Sequence, residues 1–138
     1  MQKLTNSENK GNTYLYFSFD ADFFDTQKVT EELNINPTSV RIKNNPVPKS
    51  TSWKYKIEIG NESNLETPVE NLIDIFEPKI ETINRLKRDL NLETRLQFVI
   101  YININPKSSM PYFGLNKRTV EFLAKTGTEV DFDLYKTK

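Results

Sequence analysis

The sequence predicts an α+β fold, with a ferredoxin-like β-α-β-β-α-β core, a C-terminal α-β extension, and a mainly antiparallel sheet carrying its helices on one face. Three observations predict it. Apolar and polar residues alternate over several short stretches, which is the period of a strand. Between them, apolar residues recur at helical spacing. The segments follow one another as strand, helix, strand, strand, helix, strand, helix, strand.

Residues 1–12 are polar, with few apolar anchors, and read as a flexible tail before a single domain over 13–138. Tyr14–Asp20 is the first strand. Leu15, Phe17 and Phe19 share its core face, and Tyr14, Tyr16, Ser18 and Asp20 share the other. Whether the two tyrosines are exposed or lie under a third layer is open at this point. Asp25 is an N-cap for a helix over Thr26–Leu33, and Phe24 and Val29 have the spacing of a hydrophobic staple. Asn34 closes that helix and Pro37 forbids its continuation.

Ser39–Lys43 and Thr51–Ile59 are the next strands, joined by a loop containing Pro46 and Pro48. In the second of them Trp53, Tyr55, Ile57 and Ile59 share one face, and Lys54, Lys56 and Glu58 the other. Thr67-Pro68-Val69-Glu70 has the form of a capping box with proline at the first helical position. A long apolar stripe follows through Leu72, Ile73, Phe76, Ile80, Ile83, Leu86 and Leu90. Pro78 must kink or restart this helix, because it has no N–H for the carbonyl of Asp74. Arg95–Ile104 alternates with Leu96, Phe98, Ile100, Ile102 and Ile104 on one face. Pro106–Pro111 is a loop. A helix over Lys117–Lys125, capped by Asn116, turns Val120, Leu123 and Ala124 inward and stops at Gly127. Glu129–Tyr135 is the final strand, with Val130, Phe132 and Leu134 inward.

With 138 residues the chain can bury a core without disulfides or metals. Nine Phe, six Tyr and one Trp offset a modest aliphatic content. Nineteen basic residues balance nineteen acidic ones, which argues against wholesale attraction to nucleic acid or an anionic membrane. The chain has no Cys and no His. Thiolate chemistry and Cys-ligated zinc are excluded, and the commonest neutral-pH acid/base is missing. No apolar run is long enough to span a bilayer, and the polar start lacks a signal-peptide core, so a cytoplasmic location is expected.

Two surface constellations stand out. The carboxylates Asp20, Asp22, Asp25, Asp131 and Asp133 would form a hard-cation site if their strands were neighbours. The simpler reading makes Asp25 a helix cap, Asp22 a loop residue, and Asp131 and Asp133 the charged face of an edge strand. The segment Thr38–Ile57 carries Arg41, Lys43, Lys49, Lys54 and Lys56 with no acidic residue between them. Charge interleaved with Trp53 and Tyr55 suits single-stranded nucleic acid, but those rings share the parity of Ile57 and Ile59 and are better read as core. Lys79, Arg85, Lys87 and Arg88 are mixed with Glu77, Glu81 and Asp89 and read as a solvated helix surface. No G-x-S-x-G, P-loop or dinucleotide fingerprint is present, so no catalytic residue, cofactor or metal is assigned.

Several pieces together carry a family resemblance. They are Tyr16-Phe17-Ser18-Phe19-Asp20, the helix opening at Asp25, Leu33-Asn34-Ile35-Asn36-Pro37-Thr38, the Ser52-Trp53 strand, the long helix over Val69–Leu90, and the run from Gly127 to Tyr135. In that order and spacing they resemble a bacterial family known as domain of unknown function 4279, over nearly the whole chain beyond the tail. Members usually carry Gly where Asn34 stands, and Asn is the accepted substitute in a left-handed conformation. The resemblance implies a compact bacterial domain and brings no assigned activity or catalytic residue. Small domains of this kind are often encoded near contact-dependent toxins, which implies an immunity role.

The expectation is therefore a non-catalytic protein-binding domain that neutralises a cognate toxin, with Tyr14, Tyr16, Asp20, Asp131, Asp133 and Tyr135 as partner-binding residues. The alternatives are a nucleic-acid module using Arg41, Lys43, Lys49, Lys54 and Lys56, and a carboxylate-based metal or hydrolase site.

Overall fold

The computed structural model describes residues 13–60, 64–105, 107 and 112–137. The expected tail over 1–12 and most of the expected loop over 106–111 lie outside the described residues. The elements run β1 (Thr13–Ala21), α1 (Thr26–Leu33), β2 (Ser39–Arg41), β3 (Thr51–Gly60), α2 (Glu66–Phe76), a 3-10 turn (Glu77–Lys79), α3 (Ile80–Leu90), β4 (Glu93–Asn103), α4 (Lys117–Thr126) and β5 (Glu129–Thr137). The strands form one five-stranded sheet in the order β2-β3-β1-β4-β5.

The sheet is mixed. β1 pairs antiparallel with β3 and β4, and β2 antiparallel with β3, whereas β5 lies parallel to β4. The parallel pair follows from its connection: α4 carries the chain back along the sheet before β5 begins. No helix of the described residues is long and apolar enough to cross a membrane.

The core lies on one face of the sheet. Leu15, Phe17 and Phe19 of β1 are fully buried, as are Trp53, Leu96 and Ile100 beside them. The helices add Val29, Leu33, Leu72, Ile73, Phe76, Ile83, Leu86 and Phe122 to the same cluster. Phe17 is its hub, with ring centroids 4.7 Å from Phe76, 5.4 Å from Phe19 and 5.8 Å from Phe122. Burial of such rings is the main favourable term holding helices to sheet. Trp53 also satisfies its indole N–H, which donates to Thr30 Oγ1 at 2.9 Å.

α1 ends where expected and is capped by Asp25, whose Oδ1 accepts from the Gln27 and Lys28 amides at 3.0 and 3.3 Å. Elsewhere the expected details are corrected. α2 starts at Glu66, not after Thr67, and its amide is met by Asn64 Oδ1 at 2.9 Å. The capping box does not close, because Glu70 instead accepts from Asn116 Nδ2 at 2.9 Å. Pro78 splits the long helix through the 3-10 turn, and α3 restarts at Ile80. β2 stops at Arg41 and β4 at Asn103, leaving Ile104 exposed beyond the strand.

The inward face of α4 is also corrected. Val120 is 49% exposed and Ala124 lies outward, whereas Thr119, Phe122, Leu123 and Thr126 are buried. Phe122 contributes far more burial than Ala124 and rotates the helix to reach Phe17. On β5, Val130, Phe132 and Leu134 face the helix layer but stay 37%, 38% and 54% exposed, because β5 is the outermost strand.

Candidate functional site

The face of the sheet opposite the core carries no helix among the described residues, since each of the four α-helices contributes buried apolar residues to the one cluster on the other side. Strand register fixes what that open face displays. Across it run the rows Glu58–Tyr14–Val99–Asp133, Lys56–Tyr16–Gln97–Asp131, Lys54–Ser18–Arg95–Glu129 and Ser52–Asp20–Glu93. Tyr101 and Tyr135 make a further pair. All six residues expected to bind a partner, Tyr14, Tyr16, Asp20, Asp131, Asp133 and Tyr135, therefore share one face.

The tyrosines are organised by their neighbours. The rings of Tyr14 and Tyr16 stack at 6.4 Å, two residues apart on one strand face. Lys54 Nζ sits 4.6 Å from the Tyr16 ring centroid and Lys56 Nζ 4.5 Å from that of Tyr14, both cation–π distances. Half-burial and the nearby Asp20 carboxylate push the Tyr16 hydroxyl up. Burial, then the charge of Arg41, pulls the Lys54 ammonium down. Thr38 and Ser39 join these four residues around a shallow groove of about 350 Å³. At the far side, Tyr101 and Tyr135 stack at 5.1 Å, and Gln97 Nε2 donates to Asp133 Oδ2 at 3.2 Å.

Charge is graded across the face. Arg41, Lys54 and Lys56 lie towards the β2 and β3 side, and Glu129, Asp131 and Asp133 line β5. Carboxylates outnumber cations, since Asp20, Glu58 and Glu93 add to the β5 set while Arg95 alone adds to the basic one.

The basic segment is not one patch. Arg41 is bound to Ser50, with Nη2 donating to Oγ at 3.0 Å. Lys43 pairs with Asp22 at 2.6 Å, and with Lys49 it lines a separate depression of about 600 Å³ around the exposed Phe23. Only Lys54 and Lys56 reach the tyrosines, and Lys56 also pairs with Glu58 at 3.1 Å. Trp53 is fully buried and Tyr55 packs against Phe76 at 5.6 Å, so neither offers a ring to a base.

The carboxylates are likewise dispersed. Asp25 caps α1, Asp22 pairs with Lys43, and Asp20 accepts from Ser18 Oγ at 2.7 Å. Asp131 lies two strands from Asp20, beyond Gln97 and Tyr16. Among the described residues no three of His, Cys, Asp and Glu gather as metal ligands.

Sequence reasoning missed the centre of this face. Gln97 and Val99 are buried although they point away from the core, with Tyr16 beside Gln97 and Tyr14 and Asp133 beside Val99 in their rows. Val99 was the available signal, an apolar residue at a polar-face position of β4.

No curated protein and no solved structure matches the chain. A family model described as "Domain of unknown function (DUF4279)" matches residues 11–137, and the chain belongs to that family.

Proposed function

We propose that this chain is a non-catalytic protein-binding domain that engages its partner through the open face of the sheet, with an immunity protein blocking a cognate toxin as the physiological setting. One observation carries the reading: stacked tyrosines and a graded set of charges share a rigid sheet face that no helix of the described residues covers. Large rings that lose little entropy on burial are what interfaces concentrate, and a charge gradient fixes register and partner choice. Occlusion needs such a surface and no reactive group. The order of strands around β1, with β3 and β4 as its neighbours and β2 outside β3, supports the ferredoxin-like reading of the core.

The nucleic-acid reading is weaker on the same geometry. Lys54 and Lys56 occupy the ring faces on which bases would stack, and the surplus of carboxylates repels phosphate. The test is a complex with a partner recovered from the source cell, identified, purified and titrated by calorimetry. Tyr14→Ala and Tyr16→Ala should each weaken it about tenfold or more, and Glu81→Ala on the helix side should leave it unchanged. A single-stranded oligonucleotide that binds through Lys54 and Lys56 at physiological salt would overturn the reading, as would a partner insensitive to both tyrosine substitutions.

A further inference from the structure

The two edges of the sheet are built differently. β2 is three residues long and runs into a loop with Pro46 and Pro48, so it offers little backbone to another chain. β5 is nine residues long, and no strand among the described residues pairs with its outer side. Every second backbone N–H and C=O along β5 points outward from the sheet, over a length of about 30 Å.

The two faces of this edge have distinct chemistry. On the helix side Val130, Phe132 and Leu134 form a continuous apolar stripe, 37%, 38% and 54% exposed. Phe132 packs against Phe98 at 4.8 Å and Phe113 at 5.8 Å and still leaves 38% of its surface exposed. On the open side Glu129, Asp131 and Asp133 recur at every second position. A strand laid against β5 would meet apolar side chains on one face and carboxylates on the other.

We infer that the β5 edge is a docking site for a β-strand of a partner protein in which apolar residues alternate with Lys or Arg, extending the sheet to six strands. This deepens the protein-binding reading and rests on it. Backbone pairing would supply affinity, and the alternating side chains would supply selection. Charge complementarity identifies the occupant as a basic partner. It also argues against a second copy of this chain. A two-fold axis through an antiparallel β5 pair keeps each face in place, so registers centred on Asp131, Phe132 or Asp133 set carboxylates opposite carboxylates.

The test uses the full chain and a synthetic peptide as long as β5 that alternates lysine with valine. Its controls are a glutamate-for-lysine version, a version with the lysines and valines grouped in blocks, and one N-methylated at alternate amides. Calorimetry reads affinity, and hydrogen exchange by NMR reads the β5 amides. The lysine peptide should bind and protect outward β5 amides, and N-methylation on the pairing edge should abolish binding. Asp131→Lys with Asp133→Lys should weaken the lysine peptide by about tenfold or more and confer binding of the glutamate peptide. That charge swap gains as well as loses binding, so it separates recognition from misfolding. Equal binding of the block peptide, unprotected β5 amides, or a β5-paired homodimer in sedimentation would overturn the inference. A native partner that is lost with Tyr14→Ala yet leaves β5 amides unprotected would overturn it while the open-face reading stands.

Discussion

At the scale of single residues, side chains far from the open face decide stability. Trp53 is fully buried and its N–H donates to Thr30. Trp53→Phe loses volume and removes the N–H donor to Thr30 Oγ1, which keeps only its bond to the Thr26 carbonyl, and should cost about 2–4 kcal/mol in urea unfolding. Thr119 has the opposite character. Its Oγ1 is buried and finds no hydrogen-bond partner among the described residues. Thr119→Val keeps the shape and removes the unpaired hydroxyl, so it should be neutral or stabilising by up to about 1 kcal/mol in the same assay. Acid sensitivity is also local. Lys28 and Arg85 hydrogen-bond Glu32, and Arg118 hydrogen-bonds Glu77, holding both carboxyls below the usual 4.5. A carboxyl whose folded value is depressed adds stability above its unfolded value, and that stability is lost as pH falls through the folded one. Stability should therefore decline as pH drops below about 4.5, and Glu32→Gln with Glu77→Gln should flatten that decline. Denaturant midpoints measured across pH 2–7 check it.

At the scale of elements, what was legible in the sequence had a local cause. β1 and α1 could be read residue by residue because alternation lies within the strand and an Asp cap and a closing Asn directly flank the helix. Asn34 and Asn91 take φ of 57° at the ends of α1 and α3. Asn34→Ala and Asn91→Ala should each cost about 1 kcal/mol, whereas glycine at either position should be tolerated. Thermal melts of the four variants separate those outcomes. What was not legible was set by tertiary partners. The capping box of α2 did not close, and Asn116, 46 residues away in sequence, takes the carboxylate that it would have used. The face of α4 followed Phe122 into contact with Phe17, and no helical period in α4 itself ranks Phe122 above Val120. The candidate site divided the same way. Strand parity put Tyr14 with Tyr16 and Asp131 with Asp133, but only register joined the two sets across β4.

At the scale of the whole molecule, the chain has one sheet face committed to its core and one that no helix among the described residues covers, with charge running from basic to acidic across the latter. Binding of a basic partner to the acidic β5 side should therefore weaken as salt rises, and the on-rate should fall more than the lifetime of the complex. Stopped-flow titrations over a range of ionic strength measure both. The parallel position of β5 has a further consequence during synthesis. β4 is buried along Leu96–Ile100 in the finished fold, yet β5, which covers its outer side, follows only after α4. At about 5–20 residues per second, β5 is synthesised a few seconds after β4, and until the two strands pair β4 has an uncovered, apolar edge. A chain truncated after Asn103 would keep that edge for good and should aggregate, whereas the chain carrying β5 should stay dispersed, as light scattering of the two would show. The acidic strand β5 would then act as a gatekeeper for its own sheet, shielding the apolar edge of β4 once the two strands pair.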